Sequence, residues 1–410
     1  MLDSDFTAVS AYALEHLEEY EDIYRRLHQE PELSKQEHET ASFVAQQLRK
    51  LNMDGGEESF NIITGIGGNG VVGVLKNGMG KTVLLRAELD ALPVQEDTGL
   101  EYSSRKVVVD ERDGSKQPVM HACGHDMHIA SLLCTARALS ACRKHWSGTL
   151  VVLFQPSEED GAGAQAMVAA GLYDPARFAV PIPDIIMAGH LMPMRAGRVA
   201  TRVGVVNSAV QSIQVTIYGQ GGHGARPHTT IDPVVVSSSI VMKLQTIVSR
   251  ETAPQDSVVI TVGSIHAGTA ENIISDHAVL KINMRALSQE GLVRTHLAVK
   301  RVIEGECHTF RCPRSPQITP IGSFPLLYNT PALTRPVIAA FGSYFGQQYY
   351  TEASPSLGAE DLCNLGVDGT ACCFWNIGCI DPDVWDRAES AGRLHEISGI
   401  AIRPNKSGPG

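Results

Sequence analysis

The chain has 410 residues, 43% of them hydrophobic and 19% charged, with a formal net charge of -11. That length leaves room for two domains with sizeable cores, and the acidic balance, with no basic stripe to offset it, excludes nucleic acid as a partner. The opening MLDSDFTAVSAYALEHLEEY is too acidic and interrupted for a secretory leader, and no run of about 18 apolar residues follows, so the expectation is a cytoplasmic protein with no membrane span.

Helical periodicity runs from Asp5 to Lys50, broken at Pro31 and Glu32. Beyond it, apolar runs alternate with helix-like stretches, the pattern of an α/β sheet. Four runs read as buried strands: TVLLR (82–86), the short PVM (118–120), TLVVLF (149–154) and DIIMAG (184–189). Polar, reactive residues follow each one: Glu88 and Asp90, then HACGHD, then Glu158 and Glu159, then His190. Ligands gather beyond the carboxyl ends of strands in open α/β sheets, so these four ends are expected to meet in one cleft.

From about Asn207 the character changes. A strand with Ile213, Val215 and Ile217 leads into GQGGHGARPH (219–228), and a helix follows with Asp232 as cap and Pro233 in its first turn. Strands over 257–266 and 277–286 and a helix over about 289–304 complete a strand-helix-strand-strand-helix order, which predicts a split βαβ, ferredoxin-like unit. The chain then returns to a helix (332–346) and a strand (371–377). The expected fold is therefore α/β, a mixed central sheet flanked by helices, with an inserted α+β domain. Its expected boundaries are 1–204 plus 319–395 for the first domain, 205–318 for the insert, and 396–410 as an unstructured tail.

The chemistry concentrates at HACGHDMHIA, residues 121–130. Taken alone it could be a helix start with Asp126 as cap. Cys123 and His125, however, lie close enough in one turn to ligate metal together, and the soft thiolate favours zinc. Asp126 fits better as a partner of a ligand than as one. The other eight cysteines, among them Cys372 and Cys373, read as small hydrophobes. Glu158 and Glu159 point apart as neighbours do, so one can bind metal while the other takes a proton from a water of lowered pKa. His223 sits in a glycine-rich turn that lacks a P-loop lysine, which makes a substrate-contacting imidazole a better reading than a phosphate cradle.

The words HQEPELS, RAELDALPVQEDTG, MHACGHDMH, QPSEEDGAGAQAM, GHLMP, GGHGARPH, NIISD and LGAEDL run in order from residue 28 to 362. This ordered set resembles the metal-dependent amidohydrolases of peptidase family M20, related to aminoacylases, hippurate hydrolases and auxin-conjugate hydrolases. The resemblance implies a zinc-exopeptidase-like fold with an inserted lid and dimerisation domain, and a homodimer formed through it. It implies two divalent ions per subunit, zinc first with manganese or cobalt as alternatives, held by Cys123, His125, Glu159 and His190. Glu158 becomes the general base and His223 the group that polarises the scissile carbonyl, while Asn272, Arg285 and Glu360 become substrate-binding candidates. The implied reaction is hydrolysis of the amide bond of N-acyl or N-aroyl amino acids, or of related small amides and dipeptides.

Two departures stand out. Glu88 of RAELD lengthens a carboxylate near the site by one methylene. The family's last ligand is a histidine near the C-terminus, and after His308 this chain offers only His395, in the unlike phrase LHEIS. If His395 substitutes, the site is whole. If it does not, one metal position is weak, and the alternative is an impaired relative that binds metal or acyl-amino acids as a scaffold.

Overall fold

The computed structural model describes residues 4–54, 59–109, 114–350, 353–367 and 369–397. Most of the expected tail, 398–410, lies outside them. The N-terminal periodicity resolves into helices Ser4–Glu15, Leu17–Gln29 and His38–Asp54, with a break at His16 as well as at Pro31. Helix Leu17–Gln29 buries Tyr20, Ile23, Leu27 and His28, an i, i+3, i+4 stripe that seats it on the core.

The chain divides into two compact units. The first comprises 1–206, 328–354 and 361–410, and the second 207–327 with 355–360. The expected boundary at 318/319 would cut the strand Gln317–Phe324, which pairs along its length with Ala209–Tyr218. Those backbone hydrogen bonds keep it in the second unit.

An eight-stranded mixed sheet forms the first unit, in the order Asn61–Ile66, Gly70–Asn77, Gly148–Gln155, Thr82–Glu88, Ile185–Arg195, Ala371–Ile380, Val199–Thr201 and Tyr349–Tyr350. Its four central members pair in parallel. Strand Gly148–Gln155 is buried almost throughout, as expected where both faces of a parallel sheet are covered. Helices Leu17–Gln29, His38–Asp54 and His125–Ala141 share a core with these strands, built on Leu48, Val152, Phe154, Ile129 and Leu133.

Two strand expectations need correction. PVM is not a sheet strand. Among the described residues Lys116–Pro118 pairs with Val107–Val109 in a separate two-stranded ribbon and Met120 makes a single bridge to Leu92, so the backbone hydrogen bonds of this run are spent away from the eight-stranded sheet. His190 does not follow its strand either. Ile185–Arg195 runs five residues past it, held by pairing of Leu191 to Ile377 and Arg195 to Ile380.

In the second unit the four strands lie in the order Val258–Ala267, His277–Ala286, Ala209–Tyr218 and Gln317–Phe324, all antiparallel. With helices Pro233–Thr246 and Gln289–Thr309 between them, this is the βαββαβ ferredoxin-like arrangement. Segment 355–360 joins this unit through a bridge of Ser356 to Asn207 and a bond from Ser208 Oγ to the Gly358 carbonyl. Among the described residues no helix is long and apolar enough to cross a membrane.

Asp232 Oδ1 accepts from the Val234 N–H at 2.8 Å and caps helix Pro233–Thr246, with Pro233 at its first position. Asp232→Ala should cost about 1 kcal/mol, read as a lower urea midpoint for the second unit.

Candidate metal centre

The bridge between Leu92 and Met120, with backbone bonds of 3.0 Å in both directions, lays the HACGHD turn beside the RAELD segment. Gly124 ends the turn at φ +80°, a left-handed conformation that glycine adopts freely, and a Cβ there would meet Leu191 Cδ1 at 2.6 Å. Helix His125–Ala141 starts immediately after it. The cap position is therefore Gly124, and Asp126 lies inside the first turn, where its side chain meets His28.

His125 Nδ1 donates to the Asp90 carbonyl at 2.8 Å, and His190 Nδ1 donates to the Leu191 carbonyl at 2.6 Å. A ring nitrogen bonded to a carbonyl must carry its proton, so Nε2 of each ring is the nitrogen left for a cation. Nε2 of His190 lies 3.5 Å from Cys123 Sγ. Nε2 of His125 lies 4.0 Å from both Glu158 and Glu159. Cys123, His125 and His190 thus form one group of ligand atoms within 4.8 Å of one another, and His125, Glu158 and Glu159 a second, with His125 in both.

The two glutamates sit on a turn after strand Gly148–Gln155, whose shape is imposed from outside. Ser157 takes φ +52°, and its N–H donates to Glu37 Oε1 at 2.8 Å. The Glu159 N–H donates to Asp90 Oδ2 at 3.0 Å, and the same oxygen accepts from Ser34 Oγ at 2.8 Å. Gly163 closes the loop so tightly that a Cβ would lie 1.6 Å from the Pro156 carbonyl oxygen. Glu37 and Ser34, from the segment around HQEPELS, had no role in the sequence reading.

Burial pushes the Cys123 thiol up to about 11 and raises the Glu159 carboxyl above its ordinary value. It also drives His190 down to about 3, so that ring is neutral. For His125 burial opposes protonation, but the Glu88 charge and the Asp90 bond outweigh it and hold the ring well above 6.5. Asp90 Oδ1, His125 Nε2 and Glu159 Oε1 are buried without a hydrogen-bond partner among the described residues. Soft sulfur, two imidazoles and carboxylates around orphaned buried atoms are a donor set suited to divalent cations, which would supply the positive charge that burial otherwise demands as protons.

Glu88 and His128 also approach His125, but they serve another purpose. Glu88 pairs with the buried guanidinium of Arg86 and accepts from His128 Nδ1 at 2.8 Å, while His128 Nε2 accepts from the Leu191 N–H at 3.0 Å. Burial works against the charged form of Glu88, and the Arg86 charge overcomes it, holding the carboxyl well below its usual range. The longer side chain at residue 88 therefore reaches a histidine and fixes the backbone next to His190.

In the second unit His223 is exposed on the short strand Gly222–His223, and its Nδ1 accepts from the Ala225 N–H at 3.0 Å. Asn272 stands beside the same turn, its carbonyl accepting from the Gly224 N–H at 2.8 Å. Arg285 is half-buried, donating to the Leu357 carbonyl at 2.6 Å and to Asn283 Oδ1 at 2.9 Å, and Glu360 is buried. His395 is exposed on the turn Leu394–Glu396 and joins none of the ligand groups found among the described residues.

A parallel-centred sheet bearing a cluster of thiol, imidazole and carboxylate groups on its central strands and the loops beside them, in a chain that also carries a βαββαβ unit, defines a metal-dependent hydrolase. The family model described as Peptidase family M20/M25/M40 matches residues 84–391, and the chain belongs to that family. It is 35% identical to an IAA-amino acid hydrolase of Arabidopsis thaliana, over 83% of this chain and 72% of that protein. It is 38% identical to the hippurate hydrolase of Campylobacter jejuni, over 70% and 69%, and 33% identical to thermostable carboxypeptidase 2 of Saccharolobus solfataricus, over 88% of each. Among solved structures it resembles Bacillus subtilis YXEP, titled a dinuclear metal binding peptidase of the M20 family, with TM-score 0.68 and 24% identity over 95% and 98% of the two chains. These relatives are named for hydrolysis, which favours an enzyme over the silent scaffold.

His28 bonds Asp126 Oδ2 at 2.7 Å through Nδ1 and Glu96 Oε1 at 3.0 Å through Nε2. Burial alone would lower its pKa, but the two carboxylates raise it above 6.5. A raised folded value means the clamp stabilises fully below the unfolded pKa and loses its contribution as pH climbs through the folded one. The stability lost in His28→Gln, measured by urea unfolding, should therefore be largest in mildly acidic buffer and shrink on the alkaline side.

Proposed function

We propose that the chain is a cytoplasmic amidohydrolase that cleaves N-acyl or N-aroyl amino acids. In this reading Cys123, His125, Glu159 and His190 hold two divalent ions, zinc first, with manganese or cobalt as alternatives. The observation that carries it is the pair of imidazoles locked through Nδ1, each turning Nε2 toward the sulfur and the paired carboxylates. The substrate class rests on the relatives: an IAA-amino acid and hippurate both join an aryl-bearing acid to an amino acid through one amide.

Bound at these residues, such ions would supply Lewis acidity toward the scissile carbonyl and lower the pKa of water. Glu158 takes the proton of the attacking water and returns it to the amide nitrogen as the C–N bond breaks. His223, whose Nδ1 accepts from Ala225, has Nε2–H to donate to the carbonyl oxygen as negative charge develops there. Asn272 and Arg285 bind the substrate carboxylate, and Glu360 is a further substrate-binding residue. A homodimer through the second unit fits its exposed apolar residues: Val235 and Met242 on one helix, Val293 and Leu297 on the other.

Hippurate, N-acetyl amino acids and an IAA-amino acid, assayed with zinc, manganese and cobalt, test the reading. Turnover of at least one is expected, and failure of all with every metal would overturn it. Glu158→Gln should lower kcat by roughly 10²–10⁴-fold with metal content unchanged. Cys123→Ala should instead lose bound metal, as read by mass spectrometry. Light scattering should return twice the chain mass.

A further inference from the structure

Behind the HACGHD turn the first unit carries a half-open cavity of about 1290 Å³. Gly124, His128, Gly189 and Leu191 contribute to its wall, whereas the side chains of Cys123, His125, Glu158, Glu159 and His190 do not line it, so it borders the candidate metal centre from behind. Most of the wall is apolar, from Leu85, Leu132, Met187, Trp375, Ile377 and Val384. The space exceeds the roughly 300–1,000 Å³ of pockets that hold drug-sized molecules.

The buried polar groups facing it are engaged, with one exception. His28 bonds Asp126 and Glu96, Arg86 bonds Glu88 and Asp361, and His128 is bonded at both nitrogens. His121 is 3% exposed and lines the cavity, and neither ring nitrogen has a hydrogen-bond partner among the described residues. A buried polar group is normally satisfied, and a neutral imidazole offers one donor and one acceptor, the complement of an amide or hydroxyl group. The rim carries Asp97, Asp381 and Glu396 against Arg387 and Arg393, so neither sign of charge is drawn in.

We propose that this cavity is a second ligand site for an uncharged amphiphile of the fatty-amide or fatty-alcohol class, its polar head bonded to His121 and its chain along the apolar wall. The site stands independently of the hydrolytic reading.

Calorimetric titration of the full chain with oleamide, below its aggregation limit, tests this. One saturable site per chain is expected, with at least tenfold weaker binding of oleate, which carries the same chain on an anionic head. His121→Phe should weaken oleamide binding at least tenfold, and Thr135→Trp, which projects an indole into the cavity from helix His125–Ala141, should weaken it by a similar factor. Absence of saturable binding, equal affinity for oleate, or wild-type affinity in Thr135→Trp would each overturn the proposal. Should His121→Phe fail to fold by circular dichroism, Thr135→Trp and the oleate comparison still decide.

Discussion

Two hydrogen bonds from imidazole to backbone carbonyl determine what the candidate metal centre can be. His125 and His190 come from different elements, a helix start and a strand interior, yet each spends Nδ1 on a main-chain oxygen and keeps Nε2 for the cluster. A main-chain acceptor has little freedom to move away, so ring orientation follows from the fold itself. Cys123 and the two glutamates need only be brought near these fixed nitrogens.

The surrounding segments make this placement possible. Asp90 is a hub: its carbonyl orients His125, while one carboxylate oxygen holds both the Glu159 amide and Ser34. Glu37 reaches the Ser157 amide from the other side. On the far flank Arg86 anchors Glu88, which holds His128, which in turn holds the backbone beside His190. Buried charges on this scale are costly unless each is paired, and here Arg86 answers both Glu88 and Asp361.

Much of this was legible in the sequence, for identifiable reasons. Period-two alternation located Val258–Ala267 and His277–Ala286 to within a residue, because one face of that sheet is packed and the other is not, whereas the edge strand Gln317–Phe324, interrupted by Pro320 and Gly322, was not read as a strand. The strand runs TVLLR and TLVVLF were equally clear because burial on both faces demands continuous apolar sequence. PVM misled because an apolar triplet looks the same in a bridge and in a strand. The extent of the strand through His190 was hidden because MPMR has no alternation to mark its pairing. The roles of Glu37, Ser34 and His28 were not legible, since each acts on a partner far away in sequence. A carboxylate that accepts one distant amide leaves no local pattern. His128 could have been suspected from its place one turn after His125, which puts both rings on one face of the helix.

Sulfur at residue 123, in the metal-holding role proposed for it, carries a liability that oxygen ligands do not. A thiolate climbs the oxidation ladder through sulfenic to sulfinic acid, and the later steps are irreversible. Burial and an elevated proton affinity shield Cys123 while it is a thiol. A cation that ionises it removes part of that shield even as it occupies the lone pairs. A centre of that kind would be most exposed to peroxide during loading and unloading, and its lifetime in an oxidising setting would follow from how seldom its ions exchange.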